Sequence, residues 1–113
     1  MAGRKLKRRH LVYYLRVFDH LTGKLLGYVV NITPEGLMLV CEQRVEPKRM
    51  FRLRMNLPRP VEGVAALTFD AKSIWCKQDV NPNFQIVGFQ MQGSTAVNTE
   101  IIQKLIEEAG FQD

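Results

Sequence analysis

At 113 residues, 46% apolar and 24% charged, the chain suits one compact domain around a single core and is too short for two. No stretch approaches the ~20 apolar residues of a membrane span, and two cysteines without a CxxC or clustered histidines exclude a recognisable metal site. The formal charge of +5 is entirely N-terminal: five of the 16 Lys and Arg stand in residues 1–9, leaving 11 against 11 Asp and Glu elsewhere. A neutral body with a cationic arm points to a discrete anionic ligand more than to a basic surface spread along nucleic acid.

The arm, residues 1–9, holds Arg4, Lys5, Lys7, Arg8 and Arg9 without an acid and is expected to be flexible. The apolar run behind it, Leu-Val-Tyr-Tyr-Leu, looks superficially like part of a signal peptide. Arg16 and Asp19 interrupt it and no small-residue cleavage site follows, so the expectation is a cytoplasmic protein. From there period-two alternation predicts strands over 11–19, 24–33, 37–42, 51–57, 63–77 and 84–92. The clearest is 51–57, where Phe51, Leu53, Met55 and Leu57 face one way and Arg52, Arg54 and Asn56 the other. Turn signals separate the strands: Leu21-Thr22-Gly23, Thr33-Pro34-Glu35-Gly36, Glu46-Pro47, Pro58-Arg59-Pro60 and Asn81-Pro82-Asn83. Six short strands in this arrangement imply an antiparallel barrel or sandwich.

Near residue 97 the period changes. Val97, Ile101, Leu105 and Ala109 recur every four residues, and Ile102 and Ile106 widen the stripe, predicting an amphipathic helix over about 97–109 packed on the barrel. Ser94, Thr95 or Asn98 could cap its start and Gly110 its end. The fold class is therefore mainly β with a C-terminal α-helix, as an arm over 1–9 and one domain over 10–113.

In the strand over 24–33, strict alternation puts Leu26, Tyr28, Val30 and Ile32 on one face and Gly27, Val29, Asn31 and Thr33 on the other. Asn31 and Thr33 then project together into a turn whose Pro34 and Gly36 fit type I geometry. Their simplest role is to satisfy the turn backbone. Trp75 has two readings. Regular alternation groups it with inward-facing Leu67, Phe69 and Ala71, whereas a bulge between Ala71 and Trp75 would turn it outward, where an indole could stack on a base. Cys41 and Cys76 read as ordinary buried or half-buried thiols. His10 and His20 are isolated, Glu107 and Glu108 belong to a solvated helix face, and no Gly-rich phosphate loop occurs, so neither catalysis nor a cofactor is expected.

The arm and the hairpin carry a joint pattern. Arg4 and Arg8 form RxxxR, and Asn31-Ile32-Thr33-Pro34-Glu35-Gly36 follows as NxTxxG. This pairing resembles the PilZ domain family, whose members carry RxxxR ahead of the first barrel strand and [D/N]xSxxG at the end of the second. The resemblance covers almost the whole chain. It implies a six-stranded antiparallel β-barrel with a C-terminal helix and binding of the bacterial second messenger cyclic di-GMP. Residue by residue, it makes Arg4 and Arg8 guanidinium ligands for phosphate or guanine, with the adjacent Arg9 a further candidate. Asn31 would meet the amino edge of guanine, Thr33 would offer a hydroxyl where the family more commonly has Ser, and Gly36 would allow close backbone approach. Trp75 is a candidate stacking face. The implied mechanism is ordering of the arm by the ligand, with a new surface presented to a downstream protein partner that the sequence does not name. Two alternatives stay open: a PilZ-like interaction module that has lost nucleotide binding, and a small barrel that binds single-stranded nucleic acid. The body carries no evident stripe of alternating basic and aromatic residues, so nucleic acid is not the expected partner.

Overall fold

The structure is a computed structural model and describes residues 15–93 and 95–109. Alternating side chains build its interior: Leu53 and Met55 from β4 (Met50–Val61), Leu67, Phe69 and Ala71 from β5 (Val64–Gln78), and Val87, Phe89 and Met91 from β6 (Gln85–Gln92) are all buried. Val17 of β1 (Arg16–Asp19), Val29 and Ile32 of β2 (Leu25–Thr33), and Leu37, Leu39 and Cys41 of β3 (Gly36–Cys41) complete the lining. All neighbouring strands are antiparallel, and the sheet closes in the order β1-β2-β3-β6-β5-β4. Closure leaves each strand one face for the core and one for solvent, which is the half-buried alternation that the sequence displays.

Helix α1 (Ala96–Ala109) packs against β2 and β4, burying Ile101, Ile102 and Leu105. Thr95 is its N-cap: the hydroxyl accepts the Asn98 amide at 3.1 Å, satisfying one of the four orphan donors of the first turn. Lys104 ties the helix to the β4–β5 turn through Glu62, 2.6 Å away. Val97 departs from the expected stripe. It is 62% exposed, because at the first turn the helix has not yet reached the barrel surface that covers Ile101. The expected stop at Gly110 and the early part of the first strand lie outside the described residues. Among the described residues no helix is long and apolar enough to cross a membrane.

Two local expectations are corrected and one open alternative is resolved. The Pro58-Arg59-Pro60 turn is not a turn: β4 runs through it, and the reversal falls at Glu62-Gly63, both with positive φ (54° and 79°), joining Val61 to Val64. Proline is accommodated because pairing skips from Asn56 to Val61, so no ladder bond needs an N–H at residues 58 and 60. In β2, Gly27 and Val29 face inward with Ile32, where strict alternation would separate them. A bulge intervenes, since Val29 pairs with Leu39 but Asn31 with Met38. In β5, Ser73 is fully buried and pairs with Phe89, yet Trp75 pairs with Gly88, so an extra residue, Ile74, turns Trp75 outward. Of its two sequence readings, the bulged one holds.

Ser73 accounts for the second bulge. Its hydroxyl accepts the Arg49 amide at 3.0 Å and donates to Glu46 O at 2.6 Å, while its carbonyl accepts the Lys48 amide and its amide donates to Arg49 O. The β3–β4 connection is thereby strapped to β5 where β4 has not yet begun to pair. Cys41 and Cys76 are both free thiols on strands separated by β6. Burial, with Cys76 nearby as a smaller cause, pushes the Cys41 thiol up to about 12.

Candidate functional site

The two bulges fall in one transverse layer of the barrel. Asn31 pairs with Met38, Met38 with Gly88, and Gly88 with Trp75, giving one outward row across β2, β3, β6 and β5. Beside it runs a second row, Thr33, Gly36, Gln90 and Lys72. Between them opens a groove of about 270 Å³ whose wall includes Asn31, Thr33, Gly36, Met38, Ile74, Trp75 and Gly88. Four of the residues singled out in the sequence, Asn31, Thr33, Gly36 and Trp75, thus meet at one place. Arg4, Arg8 and Arg9 lie outside the described residues. A larger cavity of about 400 Å³ opens among Tyr28, Phe51 and Phe84, but its rim intersperses Lys24, Arg44 and Arg49 with Glu42 and Glu46. It contains none of the residues singled out and presents no single sign of charge.

Each side chain of the groove has a local cause. The Thr33 hydroxyl accepts the amides of Glu35 and Gly36, both at 3.2 Å, and directs its own proton toward Gly36 O at a long 3.4 Å. Its lone pairs are thus committed to the turn, while its donor is held weakly enough to be redirected. Gly36 does not have positive φ. Glycine is required there because a Cβ would lie 2.5 Å from the Phe89 carbonyl oxygen of β6. The barrel's own backbone comes close at this position, and the neighbouring Glu35 carbonyl accepts the Met91 amide at 2.8 Å. Asn31 is half-buried, and its side-chain amide makes no hydrogen bond to a described residue. Among the described residues its acceptor and two donors are uncommitted.

Trp75 is 37% exposed and rests on Gly88. A Cβ built at Gly88 would meet the indole first at Cε2, with Nε1 at 2.5 Å and Cζ2 at 2.7 Å. The fused-ring carbon is nearer than the perimeter atoms that flank it, so the ring lies face-down on the glycine. Its other face is turned outward beside Ile74, itself 41% exposed, and the Lys77 ammonium stands 5.4 Å from the ring centroid. A flat aromatic face and an amide uncommitted to any described residue line one groove, and a cation stands over the ring; together they suit a planar heteroaromatic that carries negative charge. Gly88, Met38 and Lys77 were not among the candidates. Gly88 had a legible signal, a glycine inside the predicted strand Gln-Ile-Val-Gly-Phe-Gln-Met, where strand glycines mark close approach.

No protein-family model matches the chain, and no curated protein matches it in sequence. Among solved structures it is similar to the Bacillus subtilis inhibitor of motility, MotI/DgrA, with a TM-score of 0.64 over 87% of this chain at 15% identity. The fold is PilZ-like. The match takes in 46% of that protein, so the chain spans about half the length of its neighbour, and at this identity the likeness carries the fold alone. A PilZ-like barrel with its β2–β3 hairpin beside an outward tryptophan is therefore the frame in which the groove must be interpreted.

Proposed function

We propose that this chain is a cyclic di-GMP receptor domain, cytoplasmic and without catalysis of its own, that acts through a protein partner. The observation that carries the reading is the cross-strand row that brings Asn31 and Trp75 to one groove with Thr33 and Gly36 beside them. A guanine base stacks on the outer indole face, and its N1–H and N2–H donate to the Asn31 carbonyl oxygen. Gly36, pressed on β6, keeps the hairpin tip low enough for the ligand to pass. Arg4 and Arg8, with Arg9 as reserve, close over the ligand, contacting phosphate or the O6 and N7 edge of guanine.

Chain geometry favours this closure. The Leu15 carbonyl accepts the Val29 amide at 3.0 Å, two residues before Asn31, and β1 is antiparallel to β2. Arg8 stands seven residues ahead of Leu15, a reach of at most about 25 Å. Ordering the arm costs on the order of 1–2 kcal/mol per residue, offset by several charge-assisted contacts. A surface that forms only with the ligand suits a regulatory partner, in keeping with a fold shared with an inhibitor of motility.

Calorimetric titration with cyclic di-GMP, GMP and a short oligonucleotide tests the reading on wild type, Arg8→Ala and Asn31→Ala. Saturable heat with cyclic di-GMP that is lost in both variants, at unchanged melting temperature, is the expected result. Absence of heat with cyclic di-GMP alongside oligonucleotide binding of steep salt dependence overturns it in favour of a nucleic-acid binder. Silence with all three ligands leaves an interaction module without nucleotide binding.

A further inference from the structure

The free face of Trp75 is not empty. Gly88 takes the underside of the indole, so the Lys77 ammonium, 5.4 Å from the ring centroid, lies where a stacked base would go. Trp75 and Lys77 are two apart on β5, beyond the bulge, and pair with Gly88 and Ile86 on β6, so both project to the same outer face. Lys77 is exposed and makes no salt bridge to a described residue, and no acidic side chain lines the groove. Among the described residues, the indole is therefore the partner of its ammonium.

We infer that Lys77 is a phosphate-binding residue that exchanges partners when a nucleotide stacks on Trp75, making the platform selective for phosphorylated ligands. This rests on the cyclic di-GMP reading above and names a contact outside its two motifs. A base cannot lie on the indole until the ammonium leaves. An exposed cation–π contact is weak, whereas a phosphodiester oxygen offers the same ammonium a charge-assisted hydrogen bond. A nucleotide thus displaces Lys77 and rebinds it at its own phosphate, while a nucleoside displaces it without replacement. Four methylenes let the ammonium swing from ring to phosphate with no movement of β5.

Trp75 is the only tryptophan, so its emission reports the platform directly. Wild type, Lys77→Met and Lys77→Arg are titrated with cyclic di-GMP and with guanosine at several salt concentrations, with melting temperatures as the folding control. Wild type is expected to bind cyclic di-GMP with quenching of Trp75. Lys77→Met keeps the quenching but weakens affinity about fivefold to tenfold, the scale of one charge-assisted contact. The slope of log affinity against log salt becomes shallower by roughly one ion, and Lys77→Arg stays within about twofold of wild type. Guanosine, which has no phosphate, binds Lys77→Met at least as well as wild type. Wild-type binding with affinity and salt slope unchanged in Lys77→Met overturns the role of Lys77 and leaves the receptor reading standing. No wild-type response to cyclic di-GMP overturns both.

Discussion

On the proposed function Thr33 serves two demands with one oxygen. Its lone pairs hold the Glu35 and Gly36 amides, and its proton rests at a poor 3.4 Å on Gly36 O. Turning that proton to a ligand sacrifices little, so scaffold and ligand roles coexist without competing for the same lone pairs. The two can be separated by substitution. Thr33→Val preserves shape but strips two exposed amides of their acceptor, and about 1 kcal/mol of stability is expected to be lost. Thr33→Ser retains the hydroxyl and is expected to melt within about 0.5 kcal/mol of wild type, a surface-substitution effect. Chemical denaturation measures both. If Thr33→Val is as stable as wild type, the turn does not need the hydroxyl and the scaffold role falls.

At the scale of elements, two bulges shape the candidate groove, and they mark where sequence alternation stops being informative. Strand number, the helix and the outward pairing of Asn31 with Thr33 were legible, because a half-buried sheet writes its period into the chain. The bulge in β2 and the continuation of β4 through Pro58 and Pro60 were not, since both depend on which partner residues stand opposite. The bulge in β5 was visible only as an alternative, because Ser73 is held by the distant backbone of Glu46 and Arg49. The same geometry sorts the glycines. At Gly36 an added methyl meets the Phe89 carbonyl, which belongs to the barrel and cannot retreat; at Gly88 its nearest contacts are all in the indole of Trp75, which can swing into solvent. Gly88→Ala is therefore expected to fold, losing about 1–2 kcal/mol, while red-shifting tryptophan emission and weakening cyclic di-GMP about tenfold. Gly36→Ala is expected to cost more stability, about 2–3 kcal/mol, without moving the emission. Denaturation followed by fluorescence reads both quantities, and an unshifted emission in Gly88→Ala would contradict the face-down indole.

For the whole molecule, the question is whether the N-terminal charge works as a field or as fitted contacts. The body is neutral overall and the groove is lined by Asn31, Thr33 and apolar side chains, with Lys77 beside Trp75, so at long range an anion is drawn mainly by the five charges of residues 1–9. Field and fit separate kinetically. Any cation of the arm speeds encounter, but only a planar guanidinium can hold phosphate or guanine through two parallel bonds. Arg8→Lys leaves the formal charge at +5, so its association rate with cyclic di-GMP should match wild type. Dissociation should quicken about tenfold or more as the bidentate contact is lost. Replacing Lys5 and Lys7 together by Gln lowers the charge by two and should do the reverse, slowing association at low salt with little change in dissociation. Stopped-flow recording of Trp75 emission resolves the two rates across a salt series. If Arg8→Lys dissociates as slowly as wild type, the arm acts by charge alone, and the groove around Asn31 and Trp75 must supply all of the specificity.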